Sequence, residues 1–490
     1  MEKIQLALMD GNIPLAMQLW SQVKGSNTAE VYEFGRTLFS LYFYAEAELV
    51  LSKLLTEGTE NYLLSSAKLW FGLGRFEISA RYSARALELH NSVENVAMHA
   101  SNLVRSGKLD QAEQILLVAL KREPAHGRTV RLLAHVERTT GRQEQAKDRL
   151  KNCLLNYPSS ENWRLEYELG YILDRLGDYI GAFQVMERAK AALKNKANKL
   201  IPEWKAKTSR QWQVSQLLDT NRLEQWANFK GGEDTVIMAG FPRSGTTLLE
   251  NILSTHDRCL GTDETGVLNQ QFIDPIILAA STPEEAIEEL DDFHEDELAA
   301  GRAEYYRCTE AVIDEQRNRR ILLEKEPLMT ADLALPLRLF PQCKILMPLR
   351  DPRDVVISFY FTIVPLATNS VGSISLELAC KYYSEIMRHW LLLRDRLPQK
   401  RWMESRYEDL LSDTEGQTRK LSAFLGVEWS PEMLEHHKHA SSKAVTTPTY
   451  SDVSKALYTR SRERWRNYKK ELNPHLHYLE PYIEAFGYEL

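Results

Sequence analysis

Residues 235–253 read TVIMAGFPRSGTTLLENIL, and the order of properties along them decides the fold. Thr235 to Gly240 is short, apolar and β-branched, the pattern of a buried strand. Phe241-Pro-Arg-Ser-Gly-Thr-Thr247 follows as a tight turn. Leu248, Leu249, Ile252 and Leu253 then recur at helical spacing. A strand, a turn and a helix in that order leave the unpaired N–H groups of a helix N-terminus at the strand's C-terminal end. Such an end carries partial positive charge and binds anions. Ser244, Thr246 and Thr247 add hydroxyl donors, Gly245 admits close backbone approach, and Arg243 adds a planar cationic fork. The turn has no GK pair, so it is not a GxxxxGK[ST] loop.

A second anion-binding element lies about 100 residues on. Cys343 to Leu349 reads as another buried strand, followed by Arg350-Asp-Pro-Arg-Asp-Val-Val-Ile-Ser358. Arg350 stands at the strand's end and Pro352 suits the first turn of a helix. Ser358 falls about two helical turns further on. An arginine and a serine so spaced clamp one phosphate only if the arginine reaches back along the helix.

The first half of the chain is periodic. Gly74, Gly107, Gly141 and Gly177 are spaced by 33, 34 and 36 residues. Seven residues before each stands Ala67, Ala100, Ala134 or Gly170. Five after each stands Ser79, Ala112, Ala146 or Ala182, and twelve after each stands Ala86, Ala119, Cys153 or Ala189. Helices pack closely where small side chains meet, and a glycine allows the tight turn between them. One helix pair cannot bury its own apolar face, so several must stack. Gly11 with Ala16, and Ala47, suggest two further degenerate units. The segment resembles the tetratricopeptide repeat family over roughly residues 1–194. That resemblance implies a helical solenoid whose groove takes a protein partner.

Residues 195–230 are polar and helical in pattern, and Gly231-Gly232 punctuates the chain after them. The expected organisation is a repeat domain (1–194), a helical linker (195–230) and an α/β domain (231–490).

The chain has 490 residues and a formal net charge of −7, which argues against general nucleic-acid binding. Cys153, Cys259, Cys308, Cys343 and Cys380 are scattered without a CxxC pair, which fits reduced thiols. The N-terminus lacks a signal-peptide pattern and no apolar run spans a membrane, so a cytoplasmic location is expected. No His/Cys/carboxylate cluster points to a metal.

Taken together, FPRSGTTLLENIL and PLRDPRDVVISFYF closely resemble the sulfotransferase family. The resemblance covers about residues 233–490 and is most similar to tyrosylprotein sulfotransferases and to bacterial sulfotransferases with tetratricopeptide repeats. It implies a P-loop-like α/β domain with a mainly parallel sheet behind the helical repeats. It also implies 3'-phosphoadenosine-5'-phosphosulfate (PAPS) as co-substrate, with no metal. By resemblance, Arg243, Ser244, Gly245, Thr246 and Thr247 hold the 5'-phosphosulfate, and Arg350 and Ser358 hold the 3'-phosphate. Tyr407, in Arg406-Tyr-Glu-Asp-Leu410, lies near the adenine. Ser461, Arg464 and Trp465, in the segment Leu457–Leu472, close over the nucleotide.

Glu264, in Gly261-Thr-Asp-Glu-Thr265, corresponds by resemblance to the catalytic base, with Asp263 at the preceding acid. Gly266 replaces the arginine that helps the family bind acidic substrates. Lys325, in Leu322-Leu-Glu-Lys-Glu-Pro327, corresponds to the lysine that touches the leaving phosphate or sulfate. Pro327 stands where small-molecule members have a histidine base. The expected reaction is in-line sulfuryl transfer to a hydroxyl of a peptide, protein or small molecule, tyrosine among them. A nucleotide-dependent phosphotransferase and a non-enzymatic repeat scaffold are the alternatives.

Overall fold

The computed structural model describes residues 2–23, 25–363, 365–436 and 462–489. The chain forms two compact units, Met1–Val136 and Glu137–Leu490.

The first unit is built of helices. Helices Glu60–Gly72, Phe76–Leu89, Val93–Arg105 and Leu109–Arg122 each pack on the next in sequence. The small residues of the periodic pattern are the buried ones. Ala67, Ser79, Ala86, Ala100 and Ala112 are fully buried and Ala119 nearly so. Ser79 Oγ donates to the Ala67 carbonyl at 2.7 Å, so these two small residues sit at one helix crossing. At Gly107 and Gly141 the backbone is left-handed, with φ of +73° and +86°, and an added Cβ would meet nothing within 4 Å. Conformation, and not space, therefore selects glycine at these turns. The preceding helices Thr28–Ser40 and Tyr44–Leu51 join the same core, where Trp20 stacks on Phe34 with ring centroids 4.5 Å apart.

The second unit begins with three helices, Gln143–Asn156, Trp163–Leu176 and Tyr179–Leu217. The pattern continues in them, with Ala146, Ala182 and Ala189 fully buried. The last helix has 39 residues and runs on without a break from the final glycine-led unit. Residue 195 therefore opens no new element. The helix is held against the α/β core by buried polar contacts. Lys190 Nζ donates to Tyr167 Oη at 2.9 Å and to the Ser373 carbonyl. Gln211 Nε2 donates to both oxygens of Asp332, at 2.8 and 2.7 Å. Ser215 Oγ meets His389 Nδ1 at 2.7 Å. These contacts explain why the compact unit starts at Glu137 and not at Gly231.

The sheet has five parallel strands in the order β2-β3-β1-β4-β5. They are β1 (Thr235–Met238), β2 (Cys259–Gly261), β3 (Ile321–Lys325), β4 (Lys344–Leu349) and β5 (Trp402–Arg406). Every residue of β1 and β3 is buried, which accounts for the apolar runs Val236–Met238 and Ile321–Leu323 and makes the charges of Glu324 and Lys325 buried ones. One face packs on helix Thr246–Leu253 and on Leu410, Leu421 and Leu425. β2 and β3 lie on one side of β1 and β4 and β5 on the other, so the direction of strand succession reverses at β1. This is a topological switch point, where α/β sheets open a crevice at their strands' C-terminal ends.

If the small residues are required for helix contact, enlarging one must overpack the crossing. Ala100→Leu is expected to destabilise the first unit by about 1–3 kcal/mol, read as a lower urea midpoint with unchanged slope.

Candidate active site

The loop after β1 is shaped by two left-handed residues. Gly245 has φ of +91° and caps helix Thr246–Leu253. Arg243 has φ of +78°, unusual for a side-chain-bearing residue and a form of strain that tends to persist at functional sites. Ser244, Thr246 and Thr247 are all buried. Thr330 fixes the loop's start, its Oγ1 accepting from Gly240 N and lying 2.7 Å from the Gly240 carbonyl.

Arg350 comes off the end of β4 and joins this loop. Its Nη1 donates to the Arg243 carbonyl at 3.3 Å. Helix Pro352–Tyr360 begins two residues later with Pro352 in its first turn, and Ser358 lies within it. Arg350 itself pairs with Asp354, one turn along, at 3.6 Å. The reach to Ser358 is made instead by Arg243, whose Nε donates to Ser358 Oγ at 3.1 Å. The two sequence elements are therefore one cluster. Tyr407 closes its side, with the Arg350 guanidinium 5.1 Å from its ring centre. The same ring explains Gly245, because an added Cβ there would stand 2.7 Å from Tyr407 Cδ2.

Lys325 ends β3 beside the loop, fully buried. Its Nζ stands 2.6 Å from Asp263 Oδ1, 3.1 Å from Glu250 Oε2, 3.6 Å from Glu264 Oε1 and 3.4 Å from Thr247 Oγ1. Burial alone would lower its pKa, but the three carboxylates outweigh burial and hold it above the ordinary lysine value. One ammonium cannot neutralise three carboxylates. Burial accordingly pushes Glu250 upward despite the pull of Lys325, and it does the same to Glu264. The Glu264 side chain keeps 37% of its surface exposed, the most of the three carboxylates around Lys325.

Glu326 follows Lys325 and is raised to about 8, first by burial and then by the charges of Glu264 and Glu324, with Lys325 opposing. Asp354 is raised to about 6 by burial, with Arg350 opposing. Asp354 also accepts from the backbone N–H groups of Glu463 and Trp465, each at 2.8 Å. The tail segment is thereby fastened next to Arg350. Arg464, expected to close over the nucleotide, turns the other way. Its guanidinium pairs with Asp174 at 3.0 Å and lies over Phe361. Ser461 lies outside the described residues.

The structure thus gathers Arg243, Ser244, Gly245, Thr246, Thr247, Lys325, Arg350, Ser358, Tyr407 and Glu264 beyond the C-terminal ends of the five strands. Glu250, Thr330 and Asp354 were not legible as site residues. Glu250 leaves one trace, an acid inside the otherwise apolar helix LLENIL.

Residues 235–431 match the family model described as the sulfotransferase family. They form a sulfotransferase-family domain. A protein of Aquifex aeolicus described only as uncharacterized is 24% identical over 466 residues, covering 84% of this chain and 58% of its own. Protein-tyrosine sulfotransferase 2 of Gallus gallus is 24% identical over 229 residues, covering 45% of this chain and 58% of its own. The chain thus spans less than two thirds of the length of either relative. Among solved structures, the sulfotransferase domain of the Synechococcus PCC 7002 olefin synthase is similar over 52% of this chain and 94% of its own. Its identity is 21% and its TM-score 0.37. No described helix is long and apolar enough to cross a membrane, and no described cluster of His, Cys, Asp and Glu could hold a metal ion.

The raised pKa of Glu326 has a measurable consequence. The folded protein holds that proton up to about pH 8, whereas an ordinary glutamate releases it near 4.5. Folding takes up a proton in that window, so stability falls as pH rises through it. Glu326→Gln removes the slope. Its melting temperature is expected to match that of the parent near pH 4.5 and to exceed it increasingly toward pH 9, as read by thermal denaturation at a series of pH values.

Proposed function

We propose that this protein binds PAPS and transfers its sulfuryl group to an acceptor hydroxyl, with tyrosine among the acceptors considered. The observation that carries the reading is the convergence of Arg243, Lys325 and Arg350 on one helix N-terminus at the sheet's switch point. A nucleotide with anionic groups at both its 3' and 5' positions needs charge matched at two ends. In this reading the loop residues Arg243 to Thr247 take the 5'-phosphosulfate. Arg350 and Ser358 take the 3'-phosphate, and Tyr407 offers its ring to the adenine.

The chemistry follows from these placements. The acceptor oxygen gives its proton to the Glu264 carboxylate and forms a bond to sulfur. The bond from sulfur to the bridging oxygen breaks, and 3'-phosphoadenosine-5'-phosphate (PAP) leaves with the negative charge. Arg243, Lys325 and the loop N–H groups stabilise that developing charge, the kind of preorganised donor whose loss typically costs about 3–4 kcal/mol in the transition state. A base contributes roughly 10²- to 10⁴-fold, and burial raises Glu264 in the direction that strengthens it as a base.

We assign this chemistry to residues 231–490 and read residues 1–194 as a tetratricopeptide array that offers a groove to a protein partner, with 195–230 joining them. The buried, unbridged cysteines support residence in the cytoplasm. Arg464, bonded to Asp174, serves in this reading to anchor the tail and leaves nucleotide closure to its neighbours.

Two substitutions separate the roles. Glu264→Ala is expected to lower turnover by roughly 10²- to 10⁴-fold while leaving the PAP dissociation constant within about twofold. Arg350→Ala is expected to weaken PAP by roughly 10- to 100-fold, the range for loss of a charged hydrogen bond. Calorimetric titration of PAP beside ADP, with and without Mg²⁺, reads the second directly. Preference for ADP with Mg²⁺ would favour a phosphotransferase, and binding of neither nucleotide a scaffold.

A further inference from the structure

Helix Trp163–Leu176 lies before the matched family domain, which begins at residue 235, yet one of its side chains holds the tail beside Arg350. Asp174 Oδ1 accepts from Arg464 Nε at 3.1 Å and from Tyr468 Oη at 2.5 Å, and it stands 3.0 Å from Arg464 Nη2. Asp174 and Tyr468 are buried. The Tyr468 ring packs against Phe361 and Tyr179, with ring centroids 4.9 and 5.8 Å apart. The tail is therefore pinned at Arg464 and again at Tyr468.

Arg464 stands between the two residues whose N–H groups serve Asp354. Glu463 N and Trp465 N each reach a different oxygen of that carboxyl at 2.8 Å. Glu463 takes a left-handed φ of +57° to do so, a conformation that a residue with a side chain keeps only where its surroundings fix it. The grip of Asp174 on Arg464 fixes it from one side. The Arg353 guanidinium, 4.1 Å from the Trp465 ring centre, fixes it from the other. Asp354 in turn faces Arg350 at 3.6 Å, one helical turn back. In the proposed function Arg350 also receives the 3'-phosphate. A carboxylate and a phosphate then share one guanidinium, and two anions so close repel each other. The two tail N–H groups give Asp354 partners of its own and leave Arg350 to the phosphate. Without them the Asp354 charge falls on Arg350.

We propose that Asp174 is a positioning residue for the 3'-phosphate, acting through Arg464 and Asp354 on Arg350. The proposal rests on the assignment of Arg350 to that phosphate. It makes nucleotide affinity depend on a helix outside the family domain, through contacts that never touch the loop after β1.

Two nucleotides separate positioning from general support of the fold: PAP, and 5'-AMP, which lacks the 3'-phosphate. PAP is titrated into the full-length protein by calorimetry, and the weaker 5'-AMP is followed by saturation-transfer NMR. At about pH 8 Asp354, raised to about 6 by burial, carries its charge. Asp174→Asn keeps the side chain's size and removes its charge. It is expected to weaken PAP about 3- to 10-fold, the range for a change acting through a chain of contacts, and to leave 5'-AMP within about twofold. In an Arg350→Ala background the same substitution is expected to cost no further PAP affinity, because the chain of contacts ends at Arg350. Arg464→Gln breaks the same pair from the tail side. It is expected to repeat both results, and it decides the matter if Asp174→Asn fails to fold. Unchanged PAP affinity, equal losses for PAP and 5'-AMP, or a full further loss in the Arg350→Ala background overturns the role of Asp174 and leaves the nucleotide reading standing. A parent protein that binds PAP no more tightly than 5'-AMP overturns the 3'-phosphate reading itself.

Discussion

The active-site end of the sheet depends on one buried charge. Lys325 sits at the C-terminal end of a strand with no solvent around it. An ammonium taken out of water without partners is far too costly to persist. Its partners must therefore be built into the fold, and they come from separate places. Glu250 is on the helix after β1, and Asp263 and Glu264 follow β2. The three carboxylates meeting one ammonium tie β1, β2 and β3 together at the place where the loop is held. Burial, aided by the charge of Asp263 and opposed by Lys325, leaves Glu264 with a raised affinity for protons. One arrangement thus both neutralises the buried lysine and shifts the proton affinity of its most exposed carboxyl partner.

A second constraint acts at the other side of the loop. Asp354 balances Arg350 and accepts two backbone hydrogen bonds from the tail. The tail's next side chain, Arg464, is held by Asp174, which also accepts from Tyr468 Oη. Asp174 lies on helix Trp163–Leu176. A continuous set of polar contacts therefore runs from that helix, through the tail, to the arginine at the loop. Asp174 ties the tail to that helix alone, whereas Asp354 ties it to the arginine at the loop.

The loop and the strand-end arginine were legible in the sequence because their chemistry is local. A strand, a turn and a helix specify an anion site within 19 consecutive residues. The repeat was legible for a similar reason, since burial of small residues at fixed offsets leaves a period. What the sequence concealed depends on chain segments meeting from far apart. Gly240 was expected inside β1, yet β1 ends at Met238 and Gly240 takes φ of +134° to start the loop. Ser358 accepts from Arg243, far away in sequence, while Arg350 pairs with Asp354 one turn along, contacts that spacing alone does not show. Residues 195–217 read as a polar linker because most of that helix's surface is exposed. Trp204, Gln211 and Ser215 belong to its buried stripe, and their partners Tyr382, Asp332 and His389 lie more than 100 residues away.

That stripe bears on how the protein is organised. The buried face of the helix includes apolar residues such as Met186, Ala197, Trp204 and Val214. Among them it carries Gln211, Ser215 and Lys190, each with a specific polar partner in the α/β core. Polar contacts of this kind set register more strictly than greasy ones, because a one-residue slip leaves each group buried and unpaired. The helix is therefore fixed in rotation and translation, with Trp204, Lys207, Thr208 and Gln211 turned to a cavity beside Glu326. The family domain supplies the loop and its charges, and a helix from outside it supplies part of the cavity wall. A change along residues 204–211 therefore alters that wall without touching the loop after β1.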